Sequence, residues 1–65
     1  MKPLSRFLDN ETPISPEEAG PLFAQAAVQA FEEGWSVMDV SFRIGDRARE
    51  IGLTDEQIES AIRDA

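Results

Sequence analysis

The chain contains neither cysteine nor histidine. Without thiols there is no disulfide, no iron–sulfur cluster and no zinc–thiolate site. Without imidazole the commonest metal ligand and the usual general base near neutral pH are missing. No apolar run approaches the 18 or so residues of a membrane-spanning helix. The first eight residues, Met-Lys-Pro-Leu-Ser-Arg-Phe-Leu, start basic but hold only a broken apolar stretch, so a signal peptide is not expected. Basic charge is scarce as well: 6 Lys+Arg stand against 13 Asp+Glu, a net charge of −7. Duplex DNA or RNA is a poor direct ligand for such a chain, because its phosphates would be repelled. These absences predict a small acidic protein of cytoplasmic type with no cofactor and no membrane contact.

What is present is enough for one ordered domain over residues 1–65. Hydrophobic residues make up 42% of the chain, well above the level at which chains stay disordered. A chain of this length still buries only about 60% of its unfolded surface. Homodimerisation or binding a partner is a common way for so small a scaffold to add stability.

Helix signals recur along the chain. Leu4, Phe7 and Leu8 are spaced as one apolar helical turn behind Pro3, so a short helix is expected at about 3–8. Residues 9–13 read as a loop. Ser15-Pro16-Glu17-Glu18 is a helix start with a capping box. Pro21 then implies either a kink or a second start, because its ring clashes with the carbonyl four residues back. Phe23, Ala27 and Phe31, with Ala26 and Ala30 beside them, form a helical stripe that ends at Gly34, with Trp35 as the apolar residue behind the glycine.

Ser36-Val37-Met38-Asp39 opens the next helix, with Asp in place of the usual Glu. Its stripe is Val37, Val40, Ile44, Ala48 and Ile51, and Gly52-Leu53 closes it. The same stretch supports a competing strand, since residues 39–44 alternate polar and apolar. A strand would need a partner, and the longer helical stripe is preferred. Thr54-Asp55-Glu56-Gln57 is a third capping box, starting a helix over about 55–64 that buries Ile58, Ala61, Ile62 and Ala65. The expected fold is an all-α bundle of three main helices with a short N-terminal helical turn.

Catalysis is disfavoured by elimination. Hydroxyls occur at Ser5, Thr12, Ser15, Ser36, Ser41, Thr54 and Ser60, but no histidine can activate them and Lys2 is the sole lysine. Asp9-Asn10-Glu11 faintly resembles a calcium loop, yet it lacks the loop glycine and the distal glutamate, so no metal is expected. The Gly52-Leu53 corner has helix–turn–helix layout. Its second helix carries Asp55, Glu56, Glu59 and Asp64 against Arg63 alone, which suits a plain helical corner and not a DNA reader.

Charge is distributed unevenly. Residues 7–42 hold seven acids (Asp9, Glu11, Glu17, Glu18, Glu32, Glu33, Asp39) and no base, while the rest of the chain holds six of each. Glu17, Glu18, Asp55 and Glu56 suit helix N-termini. Glu32 and Glu33 instead end a helix, where negative charge opposes the dipole by roughly 0.3–1 kcal/mol each. With Asp9, Glu11, Trp35 and Asp39 they are the candidate partner-binding residues.

In size and acidity the chain resembles the small phage-encoded inhibitors that act as DNA mimics, of the anti-restriction and anti-CRISPR type. That resemblance implies carboxylates standing in for phosphates on the basic groove of a nucleic-acid-binding protein. The function expected is therefore binding and inhibition, with a basic protein surface as partner. The alternative is a small helical adaptor or oligomerisation module that binds through apolar residues such as Phe7, Trp35 and Phe42.

Overall fold

A computed structural model describes residues 2–9 and 11–65. Along the chain come α1 (Pro3–Leu8), α2 (Pro16–Glu32), α3 (Val37–Asp39), a π turn (Val40–Ile44), α4 (Gly45–Ile51) and α5 (Asp55–Asp64), with no strand among the described residues. The all-α expectation holds. Helix α2 is the central element: α1 packs along it, and α4, α5 and the π turn also rest on it.

The start of α2 follows from its sequence. Ser15 is extended (φ −74°, ψ 152°), Pro16 occupies the first turn, and the Ser15 N–H donates to Glu18 Oε1 at 3.1 Å. The helix then runs through Pro21 without interruption, so the second start is not used. Two features reduce the cost of that proline. The carbonyl it leaves unpaired belongs to exposed Glu17, where water can serve it. The preceding residue is Gly20, which has no Cβ to clash with the proline ring. Ala26, Ala27 and Ala30 are fully buried on α2, where their small size lets neighbouring helices approach. Phe23 of α2 meets Phe7 of α1 edge-to-face, centroids 5.7 Å apart. Burying each such ring contributes about 1.5–3 kcal/mol.

Residues 37–51 form one continuous helical run, and the strand alternative for residues 39–44 is not adopted. The run contains a π turn closed by the Gly45 N–H on the Val40 carbonyl, five residues back. Ile44 absorbs the widening (φ −108°, ψ −25°). Val40, Ile44 and Ala48 are fully buried, so the stripe is real but narrower than expected. Val37 is 58% exposed. Three residues of helical rotation set it roughly 60° from Val40, at the stripe's edge. Phe42 is 61% exposed for a related reason. In a strand it would share a face with Val40 and Ile44; in a helix it lies about half a turn away.

Other positions also depart from expectation. Leu8 is 46% exposed, because a six-residue helix buries one narrow face and Leu4 and Phe7 fill it. Phe7 is 1% exposed, so the ring considered for an adaptor surface is part of the core. Ala65 follows the last helical residue and is exposed, while Ile58 is buried and Ala61 and Ile62 are half-buried.

Candidate functional site

The candidate residues lie in two places: the loop between α1 and α2, and the corner between α2 and α3. The loop is held by groups that the sequence alone did not identify. Asp9 Oδ1 accepts the Glu11 N–H at 2.9 Å, and Oδ2 accepts the Thr12 hydroxyl at 2.8 Å. The Glu11 N–H bond, then the Thr12 hydroxyl, keep the Asp9 carboxyl below the usual carboxylate range. Arg47 reaches from α4 to donate to the Asp9 and Thr12 carbonyls at 3.1 and 3.4 Å. Arg6 grips Glu18 with both terminal nitrogens at 3.1 Å and adds a bond to the Pro13 carbonyl at 3.3 Å. Asp9 thus has a local role as a turn former. The calcium-loop reading includes Asn10, which lies outside the described residues. No group of three or more acidic side chains among the described residues is arranged to hold a metal ion. Glu11 is exposed, and its carboxylate meets no cation among the described residues.

The α2–α3 corner is built by a glycine-centred helix end. The Trp35 N–H donates to the Ala30 carbonyl at 3.0 Å, the Gly34 N–H donates to the Phe31 carbonyl at 3.1 Å, and Gly34 takes φ +96°. These are the two bonds of a Schellman end. Ser36 then caps α3, its Oγ accepting the Asp39 N–H at 3.1 Å. Asp39 reaches back toward the Ser36 N–H at 3.5 Å, so its role is partly structural. Trp35 is half-buried, with the Arg43 guanidinium 4.1 Å above its ring centroid. That stacking places Arg43, the first base after the acidic run, against the indole.

Glu32 and Glu33 end α2 side by side and do different things. Glu33 Oε2 accepts from Gln29 Nε2 at 2.8 Å. Gln29 Oε1 in turn accepts the Leu4 N–H at 3.1 Å. That N–H is one of the donors a helix start leaves unpaired, so Glu33 orients the group that caps α1. The sequence offered no signal for this relay, because its ends are 29 positions apart. Glu32 is exposed with no such partner. The three ion pairs among the described residues are Arg6–Glu18, Arg49–Asp46 and Arg49–Asp55, and none involves Glu11, Glu17, Glu32 or Glu33.

The helical run that follows these acids in the chain carries exposed apolar residues. Val37 is 58%, Met38 67% and Phe42 61% exposed. Met38 and Phe42 are four residues apart and share a face of the helical run. A second feature is a shallow depression of about 420 Å³ between α2 and α5, lined by Gly20, Thr54, Glu56, Gln57 and Asp64 among others. Thr54 and Gln57 are bonded to each other there as the cap of α5. Two other hydroxyls are similarly occupied, that of Ser36 by a helix cap and that of Thr12 by a turn.

No helix among the described residues is long and apolar enough to cross a membrane. Comparison with protein-family models, with curated proteins and with solved structures gave no match to this chain.

Proposed function

We propose that this protein is a non-enzymatic binding protein: an acidic inhibitor that engages the basic groove of a nucleic-acid-binding protein in place of the nucleic acid, in the manner of an anti-restriction or anti-CRISPR DNA mimic. The observation that supports this reading is the set of uncompensated carboxylates in the first half of the chain. Glu11, Glu17 and Glu32 are exposed and meet no cation among the described residues, although the second half of the chain shows that ion pairing is available to this fold. Glu32 is also placed where the helix dipole disfavours it. A charge that opposes local stability and has no internal partner is the pattern expected when a site serves something outside the chain.

The mechanism is electrostatic. Carboxylates on a compact helical surface enter a Lys/Arg groove, gain from its focused potential and exclude the true ligand. The test is competition. A partner recovered from host lysate is titrated with this protein at low and high salt, with and without a short DNA duplex. Affinity that falls steeply with salt and is displaced by the duplex supports the reading. A flat salt dependence with no displacement overturns it.

A further inference from the structure

The exposed apolar residues at the α2–α3 corner add a requirement that charge alone does not make. Val37, Met38 and Phe42 are each more than half exposed. They follow Glu32 and Glu33 across the turn at 34–36 and flank Asp39, all three acids being exposed. Arg43, the base closest in sequence, is stacked on Trp35. The corner thus carries three exposed apolar side chains and three exposed acids, with Arg43 as its base.

We infer that this corner docks a cationic amphipathic helix of a partner protein. An apolar side chain of that helix seats against Met38 and Phe42, and its Lys or Arg residues meet Glu32, Glu33 and Asp39. The inference rests on the proposed function for the sign of the partner's charge and adds the apolar anchor. Charge complementarity selects this occupant over a second copy of the chain. A two-fold contact sets the same patch against itself, which would bring Glu32, Glu33 and Asp39 of two copies together, three carboxylates from each copy against the single guanidinium of Arg43, which is stacked on Trp35. A groove of lysines and arginines without apolar groups would leave Met38 and Phe42 facing water. An aromatic side chain bordered by charge suits the centre of an interface, and apolar residues at i and i+4 form a helix face of the kind that packs on the apolar face of a second helix, as in coiled-coil zippers.

The test uses two fluorescent model helices of about 14 residues with equal lysine content, one of Leu and Lys and one of Ala and Lys. Both are titrated against the full chain and against a Met38→Ser/Phe42→Ser variant, whose exposed sites should leave the helical circular dichroism and the melting midpoint nearly unchanged. The Leu/Lys helix should bind about tenfold or more tightly than the Ala/Lys helix, and the double substitution should remove that advantage. Amide shifts induced by the Leu/Lys helix should centre on residues 32–43. Equal affinity for the two helices, or indifference to the substitutions, would overturn the apolar anchor and leave the acidic reading standing. Failure of both helices to bind at low salt would overturn the two together. A concentration-dependent doubling of mass that the substitutions abolish would assign the corner to a second copy and overturn the inference.

Discussion

The two corners of this molecule share a backbone and differ in charge. At the first, α2 ends at Gly34, Trp35 folds back, and Ser36 caps α3. At the second, α4 ends at Gly52, Leu53 folds back, and Thr54 caps α5. Both glycines take positive φ, +96° and +123°. Both corners close with the same pair of bonds, Trp35 and Leu53 each donating to a carbonyl five residues back at 3.0 Å. At the second corner Arg49 lies in the last turn of α4, where a cation suits the dipole. It bonds Asp46 at 2.8 Å and Asp55, in the first turn of α5, at 2.7 Å. The Asp55 hydrogen bond is the main cause holding the Arg49 guanidinium above its ordinary pKa. At the first corner the equivalent turn carries Glu32 and Glu33, and the residues beyond it, Val37 and Met38, face solvent. The same structural device is electrostatically closed at one end of the chain and open at the other. What the backbone needs is met in both, so the charges of the open corner are not required for the turn.

The largest effect that would sharpen this contrast is in the core. Ile58 lies under the closed corner, its Cγ2 about where a Gly45 side chain would meet it, and Ile44 belongs to the same cluster. Ile44→Ala and Ile58→Ala should each cost about 2–5 kcal/mol in chemical denaturation, a large share of the stability of so small a domain. Phe42→Ala, at the open corner, should cost less than about 1 kcal/mol, as exposed positions do. A large loss at Phe42 would mean that the open corner is part of the core after all.

The glycines come next. A Cβ at Gly34 or Gly52 would touch nothing within 4 Å, so the cost of Ala at either is conformational. It should be about 1–2 kcal/mol at both, because the left-handed side of φ is disfavoured for L-residues. Gly45→Ala should behave oppositely. Its backbone is helical (φ −63°, ψ −40°), and the new methyl would sit in ordinary contact with the Val40 carbonyl at 3.5 Å. A gain of up to about 1 kcal/mol is expected there. Thermal melts of the three variants give the comparison. Unequal costs at Gly34 and Gly52 would break the equivalence of the corners.

Much of this was legible in the sequence, for local reasons. Capping pairs such as Thr54–Gln57, the glycine stops and the stripe through Phe23, Ala27 and Phe31 depend on neighbours within four or five residues. What escaped was set by distance or by a break in periodicity. The π turn at Val40–Ile44 interrupts the period of the stripe, and no residue type announces it. Arg47 on the Asp9–Pro13 loop and the Leu4–Gln29–Glu33 relay join residues 25 to 38 positions apart. Of the candidate residues, Asp9 and Asp39 have local structural duties, as does Glu33 through Gln29, while Glu11 and Glu32 do not.

Acid titration tests the Glu18 carboxylate, which pairs with Arg6. The Arg6 hydrogen bond, followed by the Ser15 N–H, holds the Glu18 carboxyl below its ordinary value of 4.5. A carboxylate depressed on folding binds its proton more tightly in the unfolded chain, so protonation favours unfolding. Its stabilising contribution is complete above about 4.5 and is lost as pH falls through the lower folded value. The stability difference between the wild type and Glu18→Gln should therefore be constant at neutral pH and shrink on the acid side of that point. Denaturation at several pH values measures it. A difference independent of pH would show that Glu18 acts through the uncharged part of its cap alone.

The smallest expected effect is the most direct test of the open corner. Glu32→Gln keeps length and volume and removes a charge that opposes the dipole of α2. The variant should be more stable by about 0.3–1 kcal/mol at low salt, and the gain should fade as salt screens the dipole. Glu33→Gln should gain less. Its carboxylate accepts from Gln29, and a neutral amide oxygen accepts more weakly than a charged one, so relief at the helix end is offset by a looser cap on α1. Binding should follow the opposite order to stability. Glu32, with no internal duty, should weaken partner affinity when neutralised while the fold gains, and the loss should grow as salt is lowered. Paired denaturation and binding titrations of the two single variants decide it. If Glu32→Gln gains stability with unchanged affinity at every salt concentration, the open corner is only a solvated helix end, and the acidic surface that matters must lie at Glu11 and Glu17.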